Sequence, residues 1–104
     1  MDIFISLIMN LNVQKLYQIA QKDSRRIIGL MSGTSMDGLD IALCTIKGAG
    51  ADTELNLDAF ISVPFDEVTK MNIQSVFSKN EVSLQQLTLL HPWLANEYAR
   101  MVLQ

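Results

Sequence analysis

Between Met31 and Leu39 the chain reads Ser32-Gly33-Thr34-Ser35-Met36-Asp37-Gly38, seven residues drawn almost wholly from turn formers. Strand signals flank it on both sides. Ile27-Ile28-Gly29-Leu30-Met31 is a short continuous apolar run, which reads as a buried strand. From Leu39 to Lys47, Leu39, Ile41, Leu43 and Thr45 alternate with Asp40, Ala42, Cys44 and Ile46, the period of a second strand. Two strands around a polar, glycine-bearing connection make a β-hairpin. The favoured connection is about two residues, and unusually long hairpin loops are more often functional.

The residues of this loop suit phosphate. Gly33 and Gly38 permit close backbone approach and positive φ. Successive N–H groups in such a turn form an anion-binding concavity, and Ser32, Thr34 and Ser35 add hydroxyl donors. Asp37 and Asp40 would repel a phosphate directly. They suit a Mg²⁺-bound water, a sugar hydroxyl or the turn's own backbone. On residue chemistry alone, a phosphate site and a purely structural hairpin both stay open. The loop is not a Walker A motif, because no Gly-Lys-Ser/Thr follows. No Rossmann glycine pattern runs into a helix either.

The string Gly29-Leu30-Met31-Ser32-Gly33-Thr34-Ser35-Met36-Asp37-Gly38-Leu39-Asp40-Ile41-Ala42-Leu43 closely resembles the N-terminal signature of the anhydro-N-acetylmuramic acid kinases. These belong to the actin-like, hexokinase-like and Hsp70-like ATPase superfamily, whose first β-hairpin carries a phosphate loop. The resemblance implies an α/β fold: a ribonuclease-H-like opening of three antiparallel strands followed by helices, forming an incomplete half-domain. It implies ATP and Mg²⁺ as cofactors. Gly33, Thr34, Ser35, Met36, Asp37, Gly38, Leu39 and Asp40 would line the ATP phosphates. The implied reaction opens the anhydro ring of 1,6-anhydro-N-acetylmuramic acid with water and phosphorylates O6. That gives N-acetylmuramic acid 6-phosphate in peptidoglycan recycling.

Members of that family are much longer. Their catalytic base, second phosphate loop and adenosine pocket lie downstream of anything matched here, so no catalytic residue and no metal ligand is assigned. The expected layout is an N-terminal arm and short helix over 1–24, then the N-terminal part of the kinase ATPase domain over 25–104. The chain is expected to be an N-terminal piece of the kinase. In the parent superfamily the first strand pairs outward with a later, parallel strand. Without it, Arg26–Met31 would present an apolar edge with unpaired N–H and C=O groups. The isolated chain is then expected to be marginal and to aggregate, pair through this edge or need its missing half. Homodimerisation is an option for the full-length protein. The competing function is an inert fragment or an assembly module completed by another chain.

The rest of the chain reads as structure. Val13, Leu16, Tyr17 and Ala20 share one helical face, with Asn12 as its expected cap and Lys22, Arg25 and Arg26 at or beyond its end. Lys47 to Asp52 is a glycine-bearing turn. From Leu55 to Val63, apolar Leu55, Leu57, Ala59, Ile61 and Val63 mark a third strand, Phe60 excepted, and Pro64 stops it. Asp66-Glu67 opens a helix to about Phe77, with Val68, Ile73, Val76 and Phe77 as core candidates. Ser83 caps a second helix striped by Leu84, Leu87, Leu90, Leu94, Tyr98, Met101 and Val102. Pro92 should kink that helix or restart it. His91 reads as a boundary residue, Trp93 as core and Cys44 as an unactivated thiol.

Composition narrows the alternatives. Of 104 residues, 49% are hydrophobic, enough for one packed domain and too many for a disordered tail. Eight Lys and Arg against eleven Asp and Glu, with no basic cluster, argue against a nucleic-acid partner. One cysteine and one histidine exclude a disulfide framework and a multi-cysteine zinc site, and suit a reducing, cytoplasmic setting. Ile3–Met9 is apolar but far shorter than the roughly 20 residues that span a bilayer, so no membrane partner is expected. Asp2 before it does not suit a secretory signal. Met9 is an alternative start, and both starts stay open.

Overall fold

The structure is a computed structural model that describes residues 9–33 and 36–104. Its elements are helix α1 (Leu11–Ala20), strands β1 (Ser24–Met31) and β2 (Gly38–Lys47), a 3-10 turn (Gly50–Asp52), strand β3 (Glu54–Pro64), and helices α2 (Glu67–Gln74) and α3 (Leu84–Val102). The strands form one antiparallel sheet in the order β1-β2-β3, followed by the two helices, which is the α/β opening that the sequence predicts. The chain divides into two units, Met1–Ile27 with Leu43–Asp58 and Ile28–Ala42 with Ala59–Gln104.

The first unit is held by polar contacts. Asn10, not Asn12, caps α1: its Oδ1 accepts the Asn12 N–H at 2.8 Å. The helix therefore starts one residue before Asn12, and Asn12 supplies an orphan donor rather than the cap. The Arg25 guanidinium donates to the Ala20 carbonyl at 3.3 Å, at the negative end of α1, and also to the Gly48 carbonyl. Gly48 and Gly50 take φ of 74° and 60°, and a Cβ on Gly48 would stand 2.6 Å from the Asp52 carbonyl oxygen. The β2–β3 turn therefore requires glycine there. The Thr45 hydroxyl and Asn56 amide both donate to the Asp58 carboxylate. Val13, Leu16 and Tyr17 of α1 are exposed, and no described residue of this unit is buried.

The second unit has the apolar core. Leu39 (0% exposed), Phe65 (5%) and Met101 (4%) form it, with Ile41, Val63, Ile73 and Tyr98 packed against them. Asp66 caps α2, accepting the Thr69 N–H at 2.8 Å, and Ser83 caps α3 by accepting from Gln86. Helix α2 ends at Gln74 rather than Phe77. It buries Thr69, while Val68 and Phe77 are exposed. The core face of α2 is thus set one residue away from Val68. Helix α3 is continuous through Pro92 and does not restart there. The ring removes one N–H from a nineteen-residue ladder, whose other bonds carry the helix on. Leu84 and Leu87 are exposed, whereas Tyr98 and Met101 lie in the core cluster, so only the C-terminal part of the stripe is used there.

β1 corrects an expectation. Ile27, Ile28, Leu30 and Met31 are all exposed, so its apolar run does not mark a buried strand. It lies at the edge of a three-stranded sheet, as expected for Arg26–Met31, and none of its residues is buried.

Candidate functional site

The long connection between β1 and β2 lies in the second unit. The structure draws Gly38 into β2, which leaves the turn to residues 32–37. Thr34 and Ser35 lie outside the described residues, so their expected contacts are not placed.

Three ties hold the described part. At the start, the Ser32 and Tyr98 hydroxyls are 2.7 Å apart, in hydrogen-bond contact. At the end, the Phe65 N–H donates to the Asp37 carbonyl at 2.9 Å. Just inside β2, the Ser62 hydroxyl donates to the Asp40 carboxylate. Between them the Met36 N–H donates to the Gly33 carbonyl at 3.2 Å. Met36 takes a φ of 55°, left-handed for a residue that is not glycine. Such strain persists only where the surroundings hold it, and it clusters at ligand clamps.

The expected residues therefore divide by what they offer. Gly33, Met36, Asp37 and Gly38 bring backbone groups to one short turn. Leu39 is fully buried, so its side chain belongs to the core and only its backbone is left for a ligand. Asp40 is already engaged by Ser62. The reason for Gly38 also changes. It has no left-handed φ, and a Cβ there would sit 2.4 Å from the Val63 carbonyl oxygen. Close approach of β3 to β2 demands glycine at this position, and among the described residues of the turn the left-handed one is Met36.

Residues 32–40 hold two aspartates and no lysine or arginine. A polyphosphate here would meet hydroxyls and amides but no cationic side chain of the loop. No group of three or more His, Cys, Asp and Glu among the described residues could hold a metal by itself. Two carboxylates do suit Mg²⁺, which is usually held by one or two protein oxygens together with substrate phosphates and water.

The contacts of Tyr98, Phe65 and Ser62 are not foreseen by the sequence. Tyr98 fits a helical core stripe, and periodicity does not show that its hydroxyl reaches the loop. Carboxyl groups with a shifted acidity lie elsewhere. Asp66 is lowered by the Thr69 backbone N–H and then its hydroxyl, and Asp58 by the Thr45 hydroxyl and then Asn56. A groove of about 420 Å³ runs along Asn72, Ser75, Gln86, Leu89, Leu90 and Trp93, away from the loop. His91 is exposed, Cys44 is a half-buried free thiol, and Trp93 is half-buried rather than fully core. No helix of the described residues is long and apolar enough to cross a membrane.

The sequence profile of the anhydro-N-acetylmuramic acid kinase family matches residues 25–104. A Pseudoalteromonas atlantica protein named anhydro-N-acetylmuramic acid kinase is 54% identical over 96 residues, which is 92% of this chain and 24% of that protein. Its namesake from Pseudoalteromonas translucida is 49% identical over the same shares. One from Caldanaerobacter subterraneus is 33% identical over 88% of this chain and 23% of its own length. The chain thus spans about a quarter of the length of the curated relatives it matches. No solved structure matches it.

Proposed function

The chain belongs to the anhydro-N-acetylmuramic acid kinase family, and from that premise we propose that its β1–β2 turn is the ATP phosphate loop of such a kinase. The observation that carries this reading is the way the turn is built. It joins the two strands of the hairpin, holds a strained residue at Met36, and is tied to Tyr98 of α3 at its start and to Phe65, just after β3, at its end. A turn held at its ends in this way need not reorganise around a ligand, which is what electrostatic stabilisation of a transferring phosphoryl group needs.

In this reading backbone N–H groups of the turn other than that of Met36, which is bonded to Gly33, and the hydroxyls of Thr34 and Ser35 donate to the phosphate oxygens. Asp37 and Asp40 would hold Mg²⁺, which would neutralise the charge of those oxygens. The metal also supplies charge that this turn lacks, since it has no basic side chain. The whole protein's substrate would be 1,6-anhydro-N-acetylmuramic acid, with ring opening and transfer to O6, in the cytoplasm. This chain contributes positioning of the nucleotide, and we assign it no catalytic base. One wall of a cleft binds weakly. We expect a Kd of about a millimolar or weaker, since a millimolar Kd already needs ~4 kcal/mol.

Titrating Mg·ATP into the ¹⁵N-labelled chain tests this. Saturable shifts should centre on the amides of residues 33–40, and Asp37→Ala should weaken them. Shifts that are absent there, or that scatter over the surface without saturating, would sink the reading. The chain would then be better described as a piece inert by itself or completed by another chain.

A further inference from the structure

The turn between β1 and β2 keeps one described backbone bond of its own, Met36 to Gly33. The described ends of the turn are held from outside it as well. Those contacts converge on one aromatic pair. The Tyr98 and Phe65 rings stack nearly parallel, with centroids 6.2 Å apart and planes 7° apart. The Tyr98 hydroxyl meets Ser32 at the start of the turn, and the Phe65 N–H meets the Asp37 carbonyl at its end. The pair belongs to the core formed by Leu39 and Met101, so the turn is fastened to the best-packed part of its unit.

We infer that Tyr98 is a positioning residue for the phosphate loop: its hydroxyl fixes Ser32, and with it the conformation in which the turn presents its amides. The inference rests on the proposed phosphate reading and deepens it, because nucleotide affinity then depends on a residue of α3 that does not touch the nucleotide. The ring and the hydroxyl have separate tasks. The ring packs the core against Phe65, and the hydroxyl reaches the turn.

That separation makes the test clean. Tyr98→Phe keeps the stacked ring and removes only the hydroxyl, and Ser32→Ala removes the partner from an exposed position without touching the core. Amide exchange is measured first, on the full 104-residue chain without nucleotide. Each variant should speed exchange at Met36 about fivefold, the loss expected for one ordinary hydrogen bond. The double variant should do no more than either single one, because both remove the same contact. Exchange in α2 should not move. Unchanged exchange at Met36 in Tyr98→Phe, or additive effects in the double variant, would overturn the inference.

Mg·ATP is titrated second. Tyr98→Phe should raise its Kd about fivefold while the same amides respond. If exchange quickens and the Kd stays put, Tyr98 orders the turn without serving the nucleotide, and the positioning role is wrong. If the wild-type chain shows no saturable shift, the phosphate reading fails. The hydroxyl clamp is then decided by the exchange result.

Discussion

The two units of this chain draw on the same three strands and are held together by different means. In one, Leu39, Phe65 and Met101 exclude water, and the turn is tied to that core through Tyr98 and Phe65. In the other, no described residue is buried, and order rests on Arg25 against the backbone, on the Gly48 turn, and on Thr45 and Asn56 against Asp58. An alternating strand pattern is thus compatible with either arrangement. What differs is the depth of burial, complete at Leu39 in one unit and at most partial at Leu43 to Ile46 in the other. The turn proposed to bind nucleotide belongs to the unit with a core, as a preorganised site requires.

The contrast can be broken most directly at the core. Leu39→Ala should cost about 3 kcal/mol, because it removes a fully buried side chain and leaves a cavity, or it should abolish the cooperative transition. Ile28→Ala, on an exposed edge strand, should cost about 1 kcal/mol or less. Urea denaturation of both variants measures the difference. Equal costs would mean that Ile28 is covered in solution, and that the core does not set the stability of this chain.

A pair of glycines gives a smaller and sharper contrast. Gly38→Ala drives a Cβ into the Val63 carbonyl and should cost about 2 kcal/mol, since backbone rather than a flexible side chain must move. Gly29→Ala in β1 meets nothing within 4 Å. It should be neutral or stabilising by about 0.5 kcal/mol through the unfolded chain. If Gly38→Ala is tolerated while Mg·ATP binding is lost, then Gly38 serves the ligand rather than the β2–β3 contact.

These positions also show what could be read from the sequence. The hairpin, the third strand stopped at Pro64, the helix opening at Asp66-Glu67, the cap at Ser83 and the family itself follow from local signals that act within a few residues. β1 was misread as buried because apolar runs report what a strand would favour, not what lies over it. The candidate turn was legible from its composition, but its supports were not. Ser32 with Tyr98 joins residues far apart in sequence, and Asp40 with Ser62 depends on strand register. The role of Gly38 was legible as a need for glycine and not as a clash with Val63.

The smallest predicted effect is a pH dependence that differs between the units. The Thr45 hydroxyl first and Asn56 second hold the pKa of Asp58 below its ordinary value, and the Thr69 backbone N–H first does so for Asp66. A carboxyl with a lowered folded pKa contributes stability that is fully present above its unfolded value, about 3.9. That contribution is lost as pH falls through the lower, folded value. Both groups are exposed, so the loss is modest and confined to pH below about 4. In the first unit, however, the Asp58 network is a main tie, whereas Asp66 caps a helix that also packs on the core through Ile73. Acidification should therefore quicken amide exchange around Thr45 and Asn56 before it does so in α2. Thr45→Val should remove that early step and bring the titration of Asp58 back toward the ordinary value. Simultaneous loosening of the two units would show that they unfold as one, and that the polar unit takes its stability from the core of the other.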